Sequence, residues 1–259
     1  MLAQERQQRI LTLLEERGTV RTIDLAEEFA VTDETIRRDL QSLEENRQLT
    51  RIHGGASTVS GRPKLQSFTE RRTLEIGKKQ LIAKAAIDLI EPGQTYAFDS
   101  STTAFELVSI LPDLPFRVVT NAYAVLDHLI RMENVDLVST GGRYDPKTQT
   151  FIGGDSHTAL RRYQVHTAFI SSIGLDVGRG ASEGFEQQAI FKEILVQIAQ
   201  QVVLLVDSSK LGHHSEYYFA GLHNLSMVIT DNEADPAIVD QLRNLGCIVR
   251  IAEPLEENK

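Results

Sequence analysis

Cysteine is scarce in this sequence: Cys247 is the only one in 259 residues. A single thiol excludes an intramolecular disulfide framework and fits a reducing compartment. Positive charge is also short. Lys and Arg number 27 against 36 Asp and Glu, for a net charge of −9. That excludes a strongly basic protein that coats nucleic acid, but not a small DNA-reading module within an acidic chain. No apolar run approaches a membrane span, and Val202–Val206 has only the size of a buried strand. The opening residues Met1-Leu2-Ala3-Gln4-Glu5-Arg6 are polar, so no signal peptide is expected and the cytoplasm is the expected location. Internal repeats and low-complexity tracts are lacking too. What is present is a globular composition, 41% hydrophobic and 24% charged, in a chain long enough for one large domain or two smaller ones.

Residues 1–57 read as three short helices. Ile10, Leu13 and Leu14 share a face of the first; Leu25, Ala26 and Phe29 share a face of the second; Ile36, Leu40 and Leu43 recur at helical spacing on the third. Thr32 is placed to cap the third helix. Leu49–Ile52 reads as a short strand and Gly54-Gly55 as a tight turn. Residues 58–74 read as a linker, and the basic excess between Gly61 and Gln80 as a solvated face or a supplementary phosphate contact. From residue 75 to 259, apolar runs alternate with helix-length segments: Thr95–Phe98, Phe116–Thr120, Asp136–Thr140, Thr167–Ile173, Val202–Val206 and Met227–Thr230. This alternation predicts an α/β domain with a mostly parallel sheet and a ligand site at the carboxyl ends of its strands.

Two helices, a turn through Ala30-Val31 and a third helix make a helix-turn-helix, whose third helix enters the major groove. With Ile36, Leu40 and Leu43 inward, Glu34, Thr35, Arg37, Arg38 and Gln41 face outward. Residues 1–60 hold eight arginines and eleven acidic residues, so bulk charge opposes DNA binding. Placement outweighs the sum, because only charges within a Debye length of about 10 Å act strongly on a phosphate. Arginine also suits bidentate contact to guanine and phosphate. Asp39 is expected to pair with a neighbouring arginine. His53 is equally suited to packing and to a phosphate contact.

In the larger part, the first strand runs into Asp99-Ser100-Ser101-Thr102-Thr103 ahead of a helix. Free amides, the helix dipole and hydroxyls together make such a turn an anion site, or the hydroxyls merely cap the helix. Thr120-Asn121, Gly141-Gly142 and Asp207-Ser208-Ser209-Lys210 follow other strands. A parallel sheet places all of these on one edge. The set suits a phosphorylated sugar or polyol, with Lys210 meeting charge and Asp99 and Asn121 meeting hydroxyls.

Thr35-Ile36-Arg37-Arg38-Asp39-Leu40 followed by Leu49-Thr50-Arg51-Ile52-His53-Gly54-Gly55-Ala56 resembles the signature of the DeoR family of bacterial transcriptional regulators. The resemblance continues through the Asp99–Thr103 turn, Thr120-Asn121, Gly141-Gly142, Gly153, Asp207–Lys210 with Gly212, and Thr230-Asp231, so it spans nearly the whole chain. It implies a winged helix-turn-helix with Leu49–Ala56 as the wing, and DNA contacts from Thr32, Arg51, His53 and Gly54 beside the recognition helix. It further implies a sensor domain similar to ribose-phosphate isomerases and CoA transferases, with a sugar-phosphate effector. Asn46 and Arg47 stand where the family often has glycine, and Asn46 is expected to take the left-handed turn. Ser101 also replaces a family glycine, which leaves the effector's identity open.

Other motifs fail on inspection. Gly141–Thr148 imitates a phosphate-binding loop but has Pro146 at the second glycine. Gly178, Gly180 and Gly184 have the wrong spacing for a dinucleotide site. The adjacent His213-His214 lack metal-ligand spacing. Cys247, read as part of an apolar strand, is expected to be inert core, and Glu183 and Glu186 are expected to be solvated. The sequence therefore predicts a repressor that binds double-stranded operator DNA and is released by a phosphorylated sugar. It is expected to be a homo-oligomer with no catalytic residues, metal or cofactor. The alternative is a sugar-phosphate isomerase-like enzyme carrying a DNA module, with Asp99, Glu183 or Glu186 as proton carriers.

Overall fold

A computed structural model describes residues 2–46, 48–52, 54–57 and 67–254, the side chains of 15–17 excepted. The chain divides into two compact units, residues 1–65 and 66–259. No described helix is long and apolar enough to cross a membrane.

The first unit comprises α1 (Ala3–Arg17), β1 (Thr19–Arg21), α2 (Thr22–Phe29), α3 (Asp33–Glu45), β2 (Thr50–Ile52) and β3 (Gly55–Ser57). The three apolar stripes close on one another, burying Ile10, Leu13, Leu14, Leu25, Ile36, Leu40 and Leu43. Thr32 caps α3 by accepting the Thr35 amide at 3.3 Å. The helix-turn-helix corner is made by Ala30 at φ 52°, an uncommon conformation for a residue with a Cβ. The strands form an antiparallel sheet in the order β1-β3-β2. β1 was not expected, because three residues are too few to show a period. It fixes Gly55, where a Cβ would stand 1.9 Å from the Val20 carbonyl oxygen; Gly54, at φ 82°, makes the turn itself. Asn46 corrects another expectation. It sits at φ −81°, not in the left-handed region, and its side-chain amide donates to the Ser42 carbonyl at 2.9 Å. The helix end is closed by this side chain together with the Gln48 amide, which donates to the Leu43 carbonyl at 2.9 Å.

The second unit begins with α4 (Phe68–Thr73) and α5 (Ile76–Ala86), both starting within or just after the span expected to be linker. Then come β4 (Thr95–Phe98), α6 (Thr102–Val108), β5 (Phe116–Thr120), α7 (Tyr123–Leu129), β6 (Val135–Ser139), β7 (Arg143–Asp145), β8 (Thr150–Ile152), α8 (Gly154–Leu160) and β9 (Val165–Ile170). After these follow β10 (Gly174–Asp176), β11 (Gly180–Glu183), α9 (Glu186–Ile198), β12 (Ala199–Leu205), β13 (Tyr217–Ala220), β14 (Met227–Asp231), α10 (Pro236–Asn244) and β15 (Val249–Ala252). Seven strands form one sheet in the order β15-β14-β12-β9-β4-β5-β6, and every pairing in it is parallel. Strand alternation sends side chains to two cores. Tyr96, Phe98, Val203 and Leu205 pack with α5, α6 and α7, while Ala97, Val202, Leu204 and Val206 pack with α9 and α10. From β4 the chain winds outward through β5 to β6; from β9 it winds the other way through β12 and β14 to β15. The reversal falls between β4 and β9, where an open parallel sheet forms its crevice. Cys247 is buried in the turn between α10 and β15 rather than in a strand.

Candidate functional site

In the first unit, α3 carries the expected outward face. Glu34, Arg37, Arg38 and Gln41 are exposed. Arg38 Nε lies 3.3 Å from Glu34, Gln41 donates to Glu45 at 3.1 Å, and the Thr35 and Thr32 hydroxyls are 2.9 Å apart. Arg37, Arg51 and Gly54 line one groove of about 350 Å³ with Thr22 and Asp33, which brings α3 and the wing to a common surface. His53 lies outside the described residues. Asp39 points inward and pairs with Arg6 of α1 at 2.5 Å, with Gln7 donating to its other oxygen at 3.2 Å. It therefore ties α3 to α1, as its expected pairing with an arginine implied.

In the second unit, Asp99 occupies the reversal point. It is fully buried. One oxygen accepts the Ser101 amide at 2.9 Å and the other accepts the Ser171 amide at 2.9 Å, so it joins the loops after β4 and β9. Lys192 of α9 stands 3.4 Å from Asp99 and also bonds Glu183 of β11. Burial opposes the charge on Lys192, but Glu183 and Asp99 outweigh it and raise its pKa. Asp99 is thus part of the frame, and Glu183 is buried rather than solvated, because an ammonium inside the fold requires carboxylate partners. Ser100 donates to Gln188 at 2.8 Å. Ser101 caps α6 by accepting the Ala104 amide at 3.1 Å, the plain capping role. Thr120 donates to the Phe98 carbonyl at 2.7 Å.

Other groups on this edge lack such partners. Thr103, Asn121, Ser172 and Thr230 each present a buried side-chain oxygen without a hydrogen bond. They follow or end β4, β5, β9 and β14, four strands of one parallel sheet. A buried polar atom left unsatisfied costs about 1–3 kcal/mol, so four on one edge call for a partner there, ordered water or a bound ligand. Thr102 Oγ1 is 3.5 Å from the Arg71 carbonyl. Gly141 and Gly153 have positive φ, with open space where a Cβ would project. At Gly142 a Cβ would meet the Ile152 oxygen at 2.8 Å, so that glycine packs the loop. Lys210 Nζ lies 2.8 Å from Asp207; among the described residues no contact joins it to Asp99 or Asn121.

Of the basic stretch before residue 80, Arg72 is exposed as a solvated face requires, whereas Lys79 is buried and Arg71 half-buried in this domain; Arg62 and Lys64 lie outside the described residues. Lys79 is buried and donates to the carbonyls of Arg71 at 2.6 Å and Leu74 at 2.5 Å. Burial, reinforced by the like charge of Lys210, lowers its pKa to about 8. Arg71 is lowered by burial against the pull of Glu183 and Asp99, and its Nε is buried without a partner. Arg71, Lys79 and Lys192 were not picked out from the sequence because charged side chains on amphipathic segments read as solvent-facing; Glu183 was picked out, but as a solvated carboxylate or a proton carrier rather than the partner of a buried lysine. The available signal was Lys192 inside the Gln188–Leu195 stripe. A separate groove of about 580 Å³ lies beside α4, α6 and α7, lined by Phe68, Arg72, Phe105, Tyr123, His128 and Arg131 among others. It contains none of the strand-end residues. The edge with the unsatisfied atoms is the better candidate, because an open groove of mixed lining carries no unmet bonding.

A winged helix-turn-helix unit joined to a doubly wound α/β domain with a polar strand edge defines a two-part DNA-binding regulator. The sequence matches the DeoR-like helix-turn-helix domain over residues 6–62 and the DeoR C terminal sensor domain over residues 74–232. The chain belongs to the DeoR family of transcriptional regulators. It is 37% identical to an HTH-type transcriptional regulator of Bacillus subtilis, YulB, across 94% of this chain and 95% of that one. It is 34% identical to a lactose phosphotransferase system repressor of Staphylococcus epidermidis across 88% and 92%. Ribose 5-phosphate isomerase A of Methanocaldococcus jannaschii is similar in structure over 51% of this chain and 53% of that one, at 20% identity and a TM-score of 0.39.

Proposed function

We propose that the protein represses a carbohydrate-metabolism operon by binding its operator through α3 and the wing, and that a phosphorylated sugar or polyol at the strand edge of the second unit releases it. The observation that carries the effector site is the set of unsatisfied oxygens on Thr103, Asn121, Ser172 and Thr230. In this reading they meet the ligand's hydroxyls, Thr102, Gly141, Gly142, Gly153 and Lys210 border it, and Asp99, Ser100, Ser101 and Thr120 hold the loops in place. The relative named as a lactose phosphotransferase system repressor supports both repression and a sugar-linked operon. A homo-oligomer in the cytoplasm belongs to the same reading, since helix-turn-helix proteins gain specificity from paired half-sites.

The protein acts here as a sensor rather than an isomerase. A general base needs a carboxylate free to take a proton. Asp99 is bonded by two main-chain amides, Glu183 is bonded by Lys192 and, at 3.0 Å, by its neighbour's amide, and Glu186, at the start of α9, is exposed to water rather than buried beside them; the turnover assay below tests it. The experiment is a thermal-shift screen of phosphorylated sugars, followed by operator-binding assays and a turnover assay with each hit. A sugar phosphate that raises the melting temperature and weakens DNA binding without being consumed supports the proposal. Consumption of the hit with no effect on DNA would overturn it.

A further inference from the structure

A six-residue helix has little stability of its own, so the position of α4 is set by what grips it. At its start, Ser67 and Glu70 form a capping box, with bonds of 3.2 and 2.6 Å. On one side Phe68 packs edge-on against Phe105 at 5.8 Å, and the Arg72 guanidinium lies 4.7 Å over the same ring. At its end, Lys79 binds the Arg71 and Leu74 carbonyls across an elbow made by Glu75 at φ 51°. Thr102, beside the strand edge, reaches the same Arg71 carbonyl.

The charges around this elbow do not all find partners. Arg71 and Lys192 offset Asp99 and Glu183, and Lys210 offsets Asp207. Arg72 lies 3.9 Å from Glu106. Lys79 is left with carbonyl oxygens, and no ion-pair partner for it occurs among the described residues. A buried ammonium without a carboxylate is costly, and two of its three donors are in use.

We propose that Arg71 and Lys79 form the subsite for the effector's phosphate monoester, and that occupancy of this subsite is passed to α4. This rests on the effector reading above and adds its anion-binding residues and its route of regulation. A phosphate dianion supplies the direct ion-pair partner that Lys79 lacks and acceptors for the unpartnered Nε of Arg71. Binding tightens the elbow, and α4 is the element whose chain leads through residues 58–66 to the DNA-binding unit. The relay follows from connectivity: whatever fixes the end of α4 also constrains where that connecting segment begins.

The test is hydrogen–deuterium exchange on the full chain, alone, with millimolar inorganic phosphate against chloride at equal ionic strength, and with a duplex selected by the protein from a random DNA pool. Phosphate is expected to slow exchange across residues 68–79 by at least roughly fivefold, and DNA to shift the same amides in the opposite sense, as reciprocal coupling requires. Arg71→Lys, which keeps the charge and loses the planar fork, should lose most of the phosphate response, and Lys79→Gln all of it. Should Lys79→Gln fail to fold, Arg71→Lys still decides. An Arg71→Lys protein that responds like the wild type overturns the subsite. Protection confined to residues 99–105 overturns the elbow and spares the effector reading. DNA that leaves residues 68–79 unchanged overturns the relay. If neither phosphate nor any sugar phosphate alters the second unit, the effector reading itself falls.

Discussion

Single residues divide the two surfaces by how their charge is held. Arg38 is exposed and shares its guanidinium with Glu34, which is exposed as well, an arrangement that is weak in water and readily exchanged for a base edge. Arg38→Ala should weaken specific operator binding by about 1–3 kcal/mol with little loss of folding stability. Fluorescence anisotropy on matched and scrambled duplexes separates the outcomes: equal loss on both makes Arg38 a phosphate contact, and no loss removes it from the interface. Lys79 is the opposite case. Its folded pKa is about 8 against 10.5 for an ordinary lysine, in a setting of Lys210, Asp207, Arg71 and Glu106. Below pH 8 the ammonium is charged in both states and its burial is unfavourable. Between 8 and 10.5 the unfolded chain binds the extra proton, so this residue makes stability rise with pH. Urea unfolding across that interval should show the rise in the wild type and lose it in Lys79→Met. An unchanged slope would mean that another group titrates there.

Secondary-structure elements were legible where their period was long enough to be seen. α3 declared itself through Ile36, Leu40 and Leu43, and β4, β5 and β14 through short apolar runs, because burial on both faces leaves little room for polar residues. β1, at three residues, and the small antiparallel sheet β10-β11-β13 did not, since strands this short are specified by their partners rather than by their own pattern. The strand-edge site was half legible. Hydroxyls and amides after each strand marked the edge, but which of them are bonded within the protein depends on loop geometry. Ser101 and Thr120 are engaged, while Thr103 and Asn121 keep unmet oxygens. Ala30 is the clearest local conflict, with a Cβ at φ 52° in the helix-turn-helix corner. Left-handed backbone costs an L-residue about 1–2 kcal/mol, offset in part by the greater freedom of glycine in the unfolded chain. Ala30→Gly should therefore stabilise the first unit by up to about 1 kcal/mol. Denaturant unfolding followed by a probe in that unit checks it, and a destabilised variant would show that the Ala30 methyl packs favourably enough to outweigh the strain.

At the scale of the molecule, the proposed function asks an acidic chain to bind a polyanion and then let it go. The net charge of −9 gives little long-range attraction, so affinity depends on a few placed arginines. If Arg37 and Arg51 each neutralise one phosphate while Arg38 reads a base, log affinity should fall against log salt with a slope of about −1.8 per module. Release then requires only modest coupling. An effector can weaken operator binding only by favouring the DNA-free state, and operator must weaken effector binding by the same factor. A coupling of about 1–3 kcal/mol corresponds to a change of roughly 5- to 150-fold. Calorimetric titration of a screened sugar phosphate, with and without saturating operator, measures one side of this cycle; anisotropy with and without saturating effector measures the other. The two factors should agree. Lys210→Ala, which removes a cation bordering the proposed site and leaves Asp207 unpaired, should weaken effector affinity while preserving operator affinity in the absence of effector. Unequal factors would mean that the ligand acts at a second place. Equal effector affinities with and without operator would mean that the strand-edge site binds its ligand without reporting it to the DNA.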